Sequence, residues 1–176
     1  GFGKSDKPLQ KDFFTFNNYR KILLNFIDKL NLKNINLVLH EWGGTLGLTL
    51  PIEDPKNYSG LICFNTYMSN NSIKLGTNYL NWIDSNINND NLNVRALMAR
   101  TNRILNLSEC NAYEAPFPDK SYKLALQLLP SIFPSSEEKD GYEISLKVEE
   151  WWKENNLNKC FILGSAKDPL IPLEKM

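Results

Sequence analysis

Ile35-Asn36-Leu37-Val38-Leu39-His40-Glu41-Trp42-Gly43-Gly44, followed by a short run to Leu50 and the breaker Pro51, is the stretch that decides the fold. Ile35 to Leu39 is a short apolar run of the kind buried in a parallel strand. His40 to Gly44 reads as a turn, and Thr45 to Leu50 as a short helical run. A sharp strand-to-helix turn backed by small residues lifts one side chain above the sheet edge, which is the nucleophile-elbow geometry. The elbow position holds Glu41, a carboxylate, and Gly43 lets the following helix pack closely against the strand.

Working outward, Phe16, Tyr19, Leu23, Phe26, Ile27 and Leu30 recur at spacings of three and four. They predict an amphipathic helix from Thr15, its N-cap, to about Leu30. Downstream, Tyr58 to Phe64 contains a second strand, with Leu61 to Phe64 as its core. Strand, helix and strand in alternation indicate a doubly wound parallel sheet. From about Thr66 to Asn156 the periodicity is helical, with helices expected at Ile73–Ile87, Asn93–Asn102, Asp119–Leu129 and Tyr142–Asn155. Cys160 to Gly164 returns as a third buried strand, and Gly164 to Pro169 forms the loop at its C-terminal end. The fold class is therefore α/β. Residues 1–65 are read as core, 66–156 as an all-helical insertion shaped like a cap, and 157–176 as the return to core. Three strands are few for an open sheet, so the chain is expected to be an internal piece of a longer protein.

The residue at the elbow determines which chemistry is available. A serine there makes an acyl ester. A carboxylate can instead displace a leaving group at an sp³ carbon and form an alkyl ester, which water then hydrolyses at the carbonyl. Glu41 therefore suggests dehalogenation or epoxide opening more than peptide or ester cleavage. Its alternative is to cap the helix N-terminus, whose dipole favours a negative charge. Trp42 carries an indole N–H, a donor without acceptor character, which can hold a departing halide; packing is the simpler reading of the same residue. Asp168, in the loop after the third strand, can orient a catalytic histidine, although Asp-Pro is also an ordinary turn starter. Asn65, ending the second strand, is a neutral amide where such an acid could also sit. His40 is the only histidine. It precedes the elbow in the strand, its side chain should point away from Glu41, and a structural role is favoured for it.

Composition narrows the field. Lys+Arg and Asp+Glu number 20 each in 176 residues, and no basic face is visible, so nucleic-acid binding is not expected. A hydrophobic fraction of 42% suffices for a core. The 3 cysteines, Cys63, Cys110 and Cys160, lack C-x-x-C spacing and read as free thiols in a reducing, cytoplasmic compartment. No apolar run is long enough to span a membrane, and a monomer is expected.

In this order the residues resemble the haloalkane dehalogenases of the α/β-hydrolase superfamily. The resemblance rests on Gly1 to Pro8 (GFGKSDKP), then Glu41-Trp42-Gly43-Gly44 with Leu46 to Pro51 and Asp54-Pro55. It continues in Ala112 to Asp119, Ser121-Tyr122 and Lys167-Asp168. It implies an Asp nucleophile at the position of Glu41, halide binding by Trp42 and the triad acid at Asp168. It also implies a helical cap, no metal, no organic cofactor, and a small haloalkane-like substrate with water. The chain departs from the pattern in four places. Glu41 replaces Asp, and one methylene moves the carboxylate by roughly 1.5 Å. Thr101 takes the position aligned with the family's second halide-binding Trp. The histidine base is expected beyond Met176, and the His-Gly oxyanion loop before Gly1. Two alternatives stand beside this reading. One is an epoxide hydrolase, for which Tyr79, Tyr113, Tyr122 and Tyr142 could protonate the opening ring. The other is a catalytically degenerate binding module of the same fold.

Overall fold

In the computed structural model, residues 1–66, 68, 75–89, 91–99, 103–168 and 171 are described. The chain forms two compact units, one made of Thr15–Asn81 with Ile132–Met176 and the other of Gly1–Phe14 with Trp82–Ser131.

The first unit holds the sheet. Helix α1 covers Phe16–Lys29 and starts where expected, because the Thr15 hydroxyl accepts from the Asn18 N–H at 3.3 Å. Asp140 adds a second acceptor at the same end, taking the Asn17 N–H at 2.7 Å. Thr15→Ala removes the cap and is expected to lower stability by about 1 kcal/mol, read as a shift in the urea unfolding midpoint with unchanged slope. The chain leaves α1 through Asn31 and Asn34, both at positive φ (46° and 55°). Asn tolerates that region because its short amide can bond locally.

Strands β1 (Ile35–His40), β2 (Tyr58–Phe64) and β3 (Lys159–Leu163) form a parallel sheet in the order β1-β2-β3. One face of β1 and β2 is apolar and buried, through Leu37, Leu39, Leu61 and Cys63. Leu23, Leu24 and Ile27 of α1 and Trp152 of helix α7 (Tyr142–Glu154) pack on this face. Between β1 and β2 lies the short helix α2 (Trp42–Gly47). Arg20 ties α1 to the segment after it, donating to Thr49 Oγ1 at 3.0 Å, to the Thr49 carbonyl at 3.1 Å and to Glu53 at 2.5 Å. The Trp152 indole donates to the Leu48 carbonyl of the same segment at 2.9 Å.

The expected third buried strand is present as β3 but is exposed along its whole length, with Phe161 at 60% and Ile162 at 65%. Its apolar residues match a core strand, yet among the described residues nothing covers them. Hydropathy reports what a strand can bury, whereas burial depends on a partner layer.

Helix α3 (Thr77–Ile87) starts later than the sequence suggested, and residues 73–74 lie outside the described residues. The second unit is helical. Helix α4 (Val94–Met98) is shorter than the expected Asn93–Asn102, of which residues 100–102 lie outside the described residues. The expected helix Asp119–Leu129 resolves into a 3₁₀ turn at Lys120–Lys123 and the short helix α6 (Leu124–Leu128). A second 3₁₀ turn at Leu129–Ile132 follows. Pro130 has no N–H and cannot extend a regular helix. Asp119 caps this segment as expected, accepting the Ser121 N–H at 2.8 Å.

Helix α5 (Leu107–Glu114) was not anticipated. Its signal was in the sequence: Asn106 and Glu109 form a capping box, exchanging N–H···O bonds of 3.0 and 2.9 Å, and the N-x-x-E spacing announces one. Phe2 of the GFGKSDKP stretch meets Phe117 of the APFPD stretch edge-on at 5.6 Å, so two of the segments that carry the resemblance are in contact.

Candidate active site

Parallel pairing assembles the site. His40 is in register with Phe64, and Phe64 with Leu163. The next residues, Glu41, Asn65 and Gly164, therefore leave the sheet side by side at its C-terminal edge. In open α/β sheets this is the edge where ligands bind.

The expected sharp turn between β1 and α2 is present, and its backbone is strained. Glu41 sits at φ 52°, ψ −127°, a sparsely populated region for a residue with a side chain. Its carbonyl secures the turn by accepting from Gly44 N at 2.9 Å, Thr45 N at 3.3 Å and Thr66 Oγ1 at 2.7 Å. Nothing local in the sequence marks Thr66 for this role, because it depends on where the end of β2 lies. Glu41 stands at the N-cap position of α2, and its side chain makes no capping hydrogen bond to that helix. Burial, reinforced by the nearby charge of Asp168, pushes the Glu41 carboxyl up from 4.5 to about 7. The tertiary fold thus brings the two predicted carboxylates within electrostatic reach.

Asp168 is held firmly. One of its oxygens accepts from Asn65 Nδ2 at 2.5 Å and the other from the Ile171 N–H at 2.9 Å. Asn65, itself at φ 39°, uses its amide oxygen to accept the Ser165 N–H at 3.0 Å. The two positions that the sequence offered as alternatives for the acid are hydrogen-bonded to each other. An amide opposite a carboxylate supplies a donor without a second charge, so Asn65 positions Asp168 where an acid would repel it. His40 is exposed at the end of β1, while Leu39 beside it is buried, in keeping with the expected alternation.

Trp42 is half-buried and packs with Leu75 against Phe133 and Ile171. Its indole N–H donates to the Tyr79 hydroxyl at 2.7 Å. Packing and hydrogen bonding therefore coexist at Trp42. Tyr79 is one of the four tyrosines considered from the sequence. Thr101 lies outside the described residues. A cavity of about 320 Å³ opens at the opposite end of the strands, between Ile27, Leu32, Asp54 and Tyr58, and it contains none of the predicted site residues. Among the described residues no group of three His, Cys, Asp or Glu side chains is placed to hold a metal ion. None of the described helices is long and apolar enough to cross a membrane.

A family model described as the alpha/beta hydrolase fold matches residues 1–176. A haloalkane dehalogenase of Psychrobacter cryohalolentis is 30% identical over 173 residues, covering 97% of this chain and 56% of that protein. One of Mycolicibacterium paratuberculosis is 24% identical, covering 97% of this chain and 57% of its own. The tetrameric structure of the haloalkane dehalogenase DpaA from Paraglaciecola agarilytica is similar with a TM-score of 0.88 at 32% identity. It covers 98% of this chain and 57% of that one. The chain spans a little more than half the length of these relatives.

Proposed function

The chain belongs to the alpha/beta hydrolase fold family, and on that premise we propose a hydrolase that cleaves a carbon–halogen bond. The observation that supports it most is the Glu41 side chain, carried on a strained elbow and making no hydrogen bond to the helix behind it. In this reading a Glu41 carboxylate oxygen attacks the carbon bearing the halogen. The carbon–halogen bond breaks, the electron pair leaves with the halide, and the Trp42 N–H stabilises that charge. The product of this half-reaction is an alkyl ester on Glu41. Water completes hydrolysis by attacking the ester carbonyl, and Asp168, fixed by Asn65 and Ile171, is the group that would orient a histidine base for that step. The division into core (1–65), helical cap (66–156) and return to core (157–176), a monomeric state and a cytoplasmic setting for the free cysteines belong to the same proposal. DpaA, described as tetrameric, makes sedimentation the check on assembly.

The first half-reaction needs only the nucleophile and the leaving-group donor, so it can be tested on this chain. Incubation with bromobutane is expected to release one bromide per chain and to add one butyl group to the peptide containing Glu41. Glu41→Gln should do neither. Because only the ionised carboxylate attacks, the single-turnover rate should rise with pH and reach half its plateau near pH 7. An adduct elsewhere, or none, would remove the nucleophile assignment. The epoxide-opening alternative gains one observation, the Tyr79 hydroxyl beside Trp42. A butylene oxide adduct on Glu41 without a bromobutane adduct would favour it.

A further inference from the structure

We infer that Tyr79 is an internal ligand of the halide site, its hydroxyl occupying the place on the Trp42 indole that a departing halide must take. The inference rests on the halide role proposed for Trp42 and adds a residue that sets how strongly that site holds its anion.

An indole offers a single N–H. In this protein that N–H is already committed, to a hydroxyl oxygen 2.7 Å away, shorter than the usual 2.9–3.0 Å for such bonds. The acceptor is not a mobile surface group. Tyr79 is only 1% exposed, and its ring lies against Phe133 with centroids 5.7 Å apart. Phe133 in turn packs against the Trp42 side chain and Ile171. Both partners of the bond are thus fixed by one apolar cluster, and the tyrosine oxygen is delivered to the nitrogen by packing. A halide that approaches Trp42 must displace this oxygen or share the proton with it. Either way, anion binding gives up part of a good hydrogen bond. The expected result is a site that holds halide weakly and lets the product ion leave readily. Tyr79 acts here through Trp42 and is a positioning residue.

Tyr79→Phe removes the oxygen and keeps the ring. The test uses sodium bromide as the probe and the ¹⁵N-labelled Trp42 indole N–H signal as the readout, with Trp42→Phe identifying that signal among the 4 tryptophans. Without bromide, Tyr79→Phe should move the signal upfield as the hydrogen bond is lost. With bromide, the variant should bind about five- to tenfold tighter than the unaltered chain, the factor that one neutral hydrogen bond is worth. Equal or weaker binding in the variant overturns the inference. Weaker binding would make the Tyr79 hydroxyl a second donor to the anion. If neither protein's Trp42 signal responds to bromide, the inference and the halide role of Trp42 fall together. A response in both with equal affinity removes only the inference. Should Tyr79→Phe fail to fold, the unaltered chain labelled with 3-fluorotyrosine gives the answer. Bromide must then shift one tyrosine signal along the same saturation curve as the Trp42 signal, and a Trp42 response with no tyrosine response overturns the inference.

Discussion

Glu41→Asp is expected to release bromide from bromobutane on the order of a hundredfold faster than the unaltered chain in a single turnover. The elbow fixes Cα and Cβ of residue 41 through the φ of 52° and the three hydrogen bonds to its carbonyl. Shortening the side chain by one methylene therefore withdraws the carboxylate by roughly 1.5 Å without a compensating backbone shift. In-line attack on carbon tolerates little error, and a misplacement near 1 Å costs on the order of a hundredfold. The resemblance to haloalkane dehalogenases implies Asp at this position, so the shorter residue is the one the surrounding geometry is expected to suit. Stopped-flow halide release on both proteins at pH 8 reads the ratio, since Glu41 is ionised above its raised value of about 7. A ratio near one would mean that the carboxylate position does not control the step. No bromide from either protein would turn the balance toward a binding module built on the same fold.

Gly44→Ala is expected to destabilise the protein by about 3 kcal/mol. A Cβ at residue 44 would stand 1.9 Å from Thr66 Oγ1, 2.4 Å from its Cγ2 and 2.5 Å from its Cβ. Those atoms cannot move aside independently, because the same Oγ1 donates to the Glu41 carbonyl at 2.7 Å. Overpacking of this kind costs about 1–3 kcal/mol, and loss of the Thr66 bond adds about 1 kcal/mol. The close approach expected at Gly43 falls one residue later, at Gly44: a Cβ at Gly43 meets nothing within 4 Å, because that side of the turn is open, so Gly43 is a built-in control. Gly43→Ala should leave the unfolding free energy from urea titration within about 0.5 kcal/mol of the starting protein, as substitutions away from such constraints usually do. Equal effects at the two glycines would show that the close approach of Thr66 does not hold the elbow.

The fold is legible in the sequence where the signal is local. Thr15 announced the start of α1, and the apolar runs announced β1 and β2. The turn from His40 to Gly44 announced the sharp elbow, and the positive φ of Glu41 was added by the structure. Legibility fails where a local pattern is ambiguous or incomplete. The Asn106 and Glu109 pair was overlooked because α5 lacks a clear apolar stripe beside its cap. Asp119–Leu129 looked like one helix because periodicity cannot distinguish 3₁₀ from α turns over so few residues. Cys160–Gly164 looked buried because its residues are apolar.

At the site, residue identity and order were enough to place the chemical groups along the chain: a carboxylate at an elbow, an indole next to it, and a carboxylate in a loop after a strand. Those facts depend on residue identity and short-range spacing. What each group does to the others depends on the folded chain. Asn65 and Asp168 are 103 positions apart and meet because parallel pairing aligns the ends of β2 and β3. The Glu41 carboxyl rises because that alignment buries it near Asp168. Tyr79 reaches Trp42 because both pack on Phe133. Hydrogen bonds and charge–charge effects depend on distance in space. Strand register and side-chain packing set that distance, and neither is encoded in the spacing of residues along the chain.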